Sequence, residues 1–243
     1  MTDYFEARGV GKEMYENQPL PMYYKEVLDS LGPESRILDF GCGFGQTLNA
    51  IKNKNMKWGG GGEMKNFKLC GIDINENALS HVRNMGIEAL KIENILEFNP
   101  KEKFDLIIST HVIEHLQKDK IIPILKHLKE NFLNENGAIF IAVPNAQSNT
   151  NCYWAYEDFT HTTLFSAGSL LYVLRMAGFK NIKIIDKDAT AGLNPIKKII
   201  KKFFLNMYRF NYAFWNKITS SYFHGPSPCV FSYEIKALAR IKK

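Results

Sequence analysis

A doubly wound, mostly parallel α/β sheet is the fold this chain predicts, and three observations carry the prediction. Segments of strand character alternate with segments of helical period from residue 36 onward. A glycine-dense turn joins the first of these strands to the first helix, and carboxylates recur near strand ends further on. With 243 residues and 45% hydrophobic content, the chain is long enough for one such domain carrying an inserted segment. The boundaries read as a lead-in helical segment at 1–35, a core at 36–188, a basic amphipathic insertion at 189–229 and a closing strand at 230–243.

The elements follow in order. Tyr4, Phe5, Tyr15, Tyr23 and Tyr24 surround a break at Pro19–Pro21; a helix is expected over 22–31, stopped by Gly32-Pro33. Strands are expected near 36–40, 68–73, 88–92, 104–109 and 137–143, with helices near 46–54, 76–85, 118–132 and 167–177. Residues 53–67 interrupt this rhythm, because the four consecutive glycines at 59–62 hold neither a helix nor a central strand; the segment reads as a surface excursion. A strand is expected at 180–186, and Ile196, Ile200, Phe203, Met207, Phe210, Phe214 and Ile218 then recur every three or four residues, predicting an amphipathic helix. Lys197, Lys198, Lys201, Lys202, Arg209 and Lys217 fill much of its remainder, and no acidic residue stands between Asp188 and Glu234. A strand at 230–240 completes the sheet, with one antiparallel position.

Composition narrows the function. No apolar stretch reaches 18 residues, and the N-terminus lacks the charged and apolar regions of a signal peptide. The four cysteines, Cys42, Cys70, Cys152 and Cys229, show no metal-type pairing and read as reduced thiols of a cytoplasmic protein. A net charge of +6 admits an anionic acceptor or surface, but the chain has no recognition module for nucleic acid, and none is expected as a partner.

The chemistry concentrates in four landmarks. The first is Arg36-Ile-Leu-Asp-Phe-Gly-Cys-Gly-Phe-Gly45, where Asp39 precedes Gly41, Gly43 and Gly45. Glycines this dense after a strand bring backbone close to a ligand. Gln46 occupies the place of the third glycine of a dinucleotide fingerprint, and the Gly-Lys-Ser/Thr ending of a phosphate cradle is missing. The second is Leu69-Cys-Gly-Ile-Asp-Ile-Asn75, whose Asp73 can accept two hydrogen bonds from a ribose diol. Asp73 read alone would also serve as a helix cap. The third is Ile92-Glu-Asn-Ile95, and the fourth runs from Phe104 through Thr110, His111, Glu114 and His115, followed by Val143-Pro-Asn145.

Taken together, the D-x-G-x-G-x-G turn and these landmarks over 36–145 resemble the class I S-adenosylmethionine (SAM) methyltransferases. The resemblance implies a Rossmann-like sheet, SAM as cofactor and S-adenosylhomocysteine as product. It implies a cofactor site of Asp39, Gly41, Gly43, Gly45, Asp73, Ile74, Asn94, Ile95 and Thr110. There Asn94 stands where the family often carries an acid for the adenine amino group, and the Ile95 backbone would serve a ring nitrogen.

Methyl transfer to an alcohol profits from a base, and the candidates are His111, Glu114, His115 and His161. A helix over 111–116 would place His111, Glu114 and His115 on one face. His161 or His115 is read as the base, with Glu114 orienting it or sharing the proton. His161 lies in a D-x-T-H-x-x-x-F-S string, Asp158 to Ser166, which resembles a subset of bacterial methyltransferases associated with surface polysaccharide, where it lines the acceptor pocket. That implies a small polar acceptor: a sugar, a nucleotide-sugar or a phosphate derivative. Small aromatic, quinone-like or amine acceptors are the alternative, and a SAM-binding scaffold without catalysis is a second. The four side chains also form a set that a divalent cation could use, since metal-using relatives carry Glu-x-x-Glu-His. His111 in place of the first glutamate disfavours Mg²⁺, and no metal is assigned. Three readings compete for the insertion. Its apolar face packs on the domain or, through 195–220, on a second subunit. Alternatively its lysines attract a phosphate-bearing acceptor, or it makes a peripheral contact with an anionic membrane.

Overall fold

The computed structural model describes residues 4–9, 11, 13, 18–54, 66–150, 152–221 and 227–242. Tyr15 and positions 55–65 of the glycine-rich excursion lie outside them.

Two short helices, α1 (Tyr4–Ala7) and α2 (Tyr24–Leu28), lead into β1 (Arg36–Phe40) and α3 (Gln46–Lys54). β2 (Lys68–Asp73), α4 (Glu76–Asn84) and β3 (Glu88–Lys91) follow. β4 (Phe104–Thr110) then leads to α5 (Lys118–His127), which widens through a π turn at Leu128–Phe132 into β5 (Leu133–Pro144). The remaining elements are α6 (Trp154–Glu157), α7 (Ala167–Met176), β6 (Lys180–Ile185), α8 (Pro195–Ile218) and β7 (Glu234–Arg240).

The strands form one seven-stranded sheet in the order β3-β2-β1-β4-β5-β7-β6. β1 to β5 are parallel, and β7 runs antiparallel between β5 and β6. Alternate residues serve opposite faces, as the strand pleat requires. Leu38, Phe40, Ile107, Ile139 and Ile141 pack with Ile121 and Leu125 of α5 and Leu170 and Leu174 of α7. Ile37, Leu106, Ile108 and Phe140 pack with Tyr24, Val27 and Leu28 of α2 and Ile51 of α3.

The order reverses between β1 and β4. Successive strands build outward from β1 to β3 on one side and from β4 on the other, so a crevice opens beyond their carboxyl ends at this switch point. Because β7 is antiparallel, its first residue, not its last, reaches that edge: Glu234 pairs with Pro144.

Three expectations change. The strand expected at 230–240 begins at Glu234, and the helix expected over 22–31 is confined to Tyr24–Leu28. The third concerns α8. Asn194 caps its N-terminus and Pro195 opens it, but none of its residues is buried. The apolar face does not pack on the domain. Leu205, Tyr208, Arg209, Tyr212 and Asn216 are the half-buried positions, and they lie on the side away from the apolar stripe.

Candidate active site

The glycine turn is anchored to the neighbouring strand by its backbone. Gly41 and Cys42 both donate N–H groups to the Ile72 carbonyl, at 2.8 and 3.0 Å. Gly41 adopts φ +79°, and a Cβ there would sit 2.3 Å from Val112 Cγ2. Glycine is therefore required at this position twice over, by conformation and by the approach of the segment that follows β4. That approach joins the two halves of the site.

On the β1–β2 side, Asp73 accepts N–H groups from Gly43 (2.8 Å, Oδ2) and Asn75 (2.9 Å, Oδ1). A carboxylate offers about four acceptor positions, so capacity for a diol remains. Ile74 beside it is 68% exposed and offers an apolar surface to a flat ring. Asp39 is buried beneath the turn; burial, and then the charge of Asp73, raise its pKa to about 7. Two carboxylates brought together in this way favour a ligand bearing positive charge. Thr110, at the end of β4, meets the buried Tyr24 hydroxyl at 3.2 Å. Asn94 is used locally: its Oδ1 accepts from Leu96 N (3.2 Å) and its Nδ2 donates to Glu97 (2.6 Å). The Ile95 side chain is buried in the core, which leaves only its backbone to address a ligand.

On the β4–β5 side, residues 111–116 form a turn and not the expected helix; α5 begins only at Lys118. His111 sits at φ +56°, which ends the strand and prevents a helix from starting there. The shared face of His111, Glu114 and His115 is therefore replaced by a division. His111 bridges two carboxylates, Glu114 Oε1 at 3.2 Å and Glu234 Oε1 at 2.8 Å. Desolvation works against its charge, but the two glutamates outweigh it and raise the imidazole pKa to about 9. His111 is thus a cation at neutral pH, suited to holding the glutamates and not to accepting a proton. Burial likewise opposes the charge of Glu234, yet His111, Lys236 and the Tyr233 hydroxyl hold its carboxyl below the usual range.

His115 turns the other way. Thr160 Oγ1 donates to Asp158 Oδ1 at 2.6 Å, so it accepts from His115 Nδ1 at 2.8 Å. This sets the tautomer with the proton on Nδ1 and the basic lone pair on Nε2. The His161 ring lies edge-on to His115, with centroids 4.7 Å apart, and its Nε2 is 3.9 Å from Asp158 Oδ2. Desolvation and the His161 ring lower the His115 pKa, keeping it neutral at pH 7. Glu114 lies between the two sets, fully buried, and its Oε2 has no hydrogen-bond partner. Its backbone carbonyl accepts the N–H groups of Thr162 (2.8 Å) and Thr163 (3.1 Å), which fixes the 158–163 loop against the turn. Glu114, His115 and His161 bring ligand-type atoms within 4.8 Å of one another, a cluster compact enough to hold a transition-metal ion.

The structure thus groups three of the four candidate side chains and joins His111 to them through Glu114. Glu234 was not among the sequence candidates. Its signal was faint: it is the first acid after a long acid-free stretch, at the start of the last strand.

Backbone exposed at a switch point, ringed by acids instead of a phosphate cradle, defines a class of α/β enzyme. Such a site takes a nucleoside cofactor with cationic character and works on an acceptor held beside it. A family model described as a methyltransferase domain matches residues 15–184, and the chain belongs to that family, with SAM as its cofactor. Solved structures agree on the fold. A SAM-dependent methyltransferase from Archaeoglobus fulgidus is 19% identical with a TM-score of 0.63, covering 98% of this chain and 100% of that one. A SAM-dependent methyltransferase from Thermotoga maritima is 16% identical with a TM-score of 0.57, covering 90% and 89%. Human N-acetylserotonin methyltransferase, in complex with SAM, is 12% identical with a TM-score of 0.53, covering 87% and 48%. No curated protein matches the sequence.

Proposed function

We propose that this enzyme methylates a hydroxyl oxygen of a small polar acceptor, a sugar, nucleotide-sugar or phosphate derivative of the kind used in bacterial surface polysaccharide. The observation that carries the reading is the Asp158–Thr160–His115 chain, which presents a neutral imidazole with its lone pair on Nε2. The resemblance of the Asp158–Ser166 string to polysaccharide-associated enzymes supplies the acceptor class.

The residues fit SAM. Asp73 has acceptor capacity for the ribose diol, and the Asp39–Asp73 pair balances the positive charge of the sulfonium and ammonium groups. When bound, SAM supplies a methyl group already activated on sulfur. His115 Nε2 would take the hydroxyl proton of the acceptor, whose oxygen would receive the methyl group that bound SAM supplies. His161 and Thr160 hold the His115 ring, and Glu114 stabilises the imidazolium that forms.

Methyl-labelled SAM offered with sugar phosphates, nucleotide-sugars, catechols and amines tests the reading. Label in an ether or ester of a sugar-based acceptor is expected, absent with His115→Ala. Label confined to amines or aromatics would overturn the acceptor class. Activity lost to a chelator and restored by Mn²⁺ or Co²⁺ would reassign Glu114, His115 and His161 to a metal ion.

A further inference from the structure

An amphipathic helix normally buries its apolar stripe, and α8 does the reverse. Ile196, Ile200, Phe203, Met207, Phe210, Phe214 and Ile218 are each between 49% and 76% exposed. At about 100° per residue they form one continuous stripe centred on Met207. The opposite side holds the helix to the domain: Tyr208 and Tyr212 pack edge-on against Phe231, with centroids 5.1 and 5.0 Å apart. Arg209 pairs with Asp188, and Lys201 Nζ donates to the Ala189 carbonyl at 2.6 Å. These contacts fix the rotation of the helix, so the outward direction of the stripe is built in.

We propose that α8 is a membrane-surface anchor, its apolar stripe seated among the acyl chains of an anionic leaflet and the flanking Lys197 and Lys217 among the phosphate headgroups. Charge selects this occupant. The helix carries Lys197, Lys198, Lys201, Lys202, Arg209 and Lys217 and no acid, and no acid occurs anywhere from 189 to 233. A second copy seated on the stripe would bring the flanking Lys197 and Lys217 of both helices together, with no acid on either helix to neutralise them. A bilayer rich in anionic phospholipid supplies both the apolar depth and the counter-charge. Lys197 and Lys217 border the stripe, where long side chains reach back to headgroups. Trp215 and Phe204, 54% and 62% exposed, border it too, matching the aromatic preference for the interfacial zone. No described helix is long and apolar enough to cross a membrane, so the contact lies in the plane of the surface. The inference is independent of the acceptor proposed above.

Flotation of the full chain with vesicles of phosphatidylglycerol and phosphatidylcholine, against pure phosphatidylcholine, tests it, with sedimentation velocity in the absence of lipid. Binding at least tenfold tighter to the anionic vesicles is expected. Changing Lys197 and Lys217 to Gln should weaken it about thirtyfold. Changing Phe203, Met207 and Phe210 to Gln should abolish it, while both variants keep wild-type affinity for S-adenosylhomocysteine as proof of folding. Absence of vesicle binding by the folded wild type would overturn the proposal. So would equal partition into both vesicle types, or a lipid-free dimer that the Phe203/Met207/Phe210 variant dissociates.

Discussion

The two sides of the functional crevice are built by different means. On the β1–β2 side, recognition rests on backbone: three glycines at positive φ, the N–H groups of Gly41 and Gly43 tied to Ile72 and Asp73 and that of Gly45 to Cys42. On the β4–β7 side it rests on side chains drawn from three distant stretches, the 111–115 turn, the 158–163 loop and Glu234. Backbone can be offered to any ligand of the right shape, so the first side suits a constant cofactor. Side chains are replaced singly, so under the proposed function acceptor choice falls to the second side. They meet where Val112 presses on Gly41.

This division is tested most strongly at His115. His115→Ala should lower kcat by about 10²–10⁴-fold and leave the affinity for S-adenosylhomocysteine within about twofold, as steady-state kinetics and calorimetry would show. His161→Ala should act in the same direction, and full activity in both variants would break the comparison. Asp73→Ala should do the converse, weakening S-adenosylhomocysteine binding by about ten- to a hundredfold, the size of a hydrogen bond to a charged group. Next is a pH effect confined to the cofactor side. Asp39 titrates near 7 because burial and Asp73 oppose its charge, and a cationic ligand favours the charged form. Affinity for SAM should therefore rise several-fold as pH climbs through about 7, with proton release seen by calorimetry in buffers of different ionisation enthalpy. Asp39→Asn should flatten that rise. The smallest effect belongs to His111. Its folded pKa of about 9 exceeds the ordinary 6.5, so its contribution to stability is complete below 6.5 and lost as pH rises through 9. Urea unfolding of His111→Gln should lack this part of the decline.

The same contrast explains what the sequence could show. Glycines and strand-end acids act within a few residues of the chain, so the turn after β1 and the place of Asp73 at the end of β2 were legible locally, while their cofactor role came from the resemblance. The apolar period likewise located α5, α7 and α8. It could not tell which way α8 faces, because a stripe has the same period whether it points to a core or to solvent; Arg209 with Asp188, and the tyrosines on Phe231, settle the direction. The expected 111–116 helix failed for a related reason. Its residues have the spacing of a helical face, but His111 is held by Glu234, 123 positions away, in a backbone conformation that starts no helix. Glu234 itself reaches the crevice only because β7 is antiparallel. Pairings at such separation leave no local mark.

The placement of β7 also has a consequence for how the polypeptide is made. β6 is synthesised before β7, yet within the sheet it pairs with β7 alone. During translation, then, β6 and the outer edge of β5 stand open as unpaired strand edges until residues 234–240 have emerged. The nascent chain can dock the cofactor-side strands early, but its sheet closes only when the segment after α8 inserts between two strands already present. The emergence of residues 234–240, and not the appearance of the glycine turn, sets the moment at which Glu234 joins His111 and the crevice is complete.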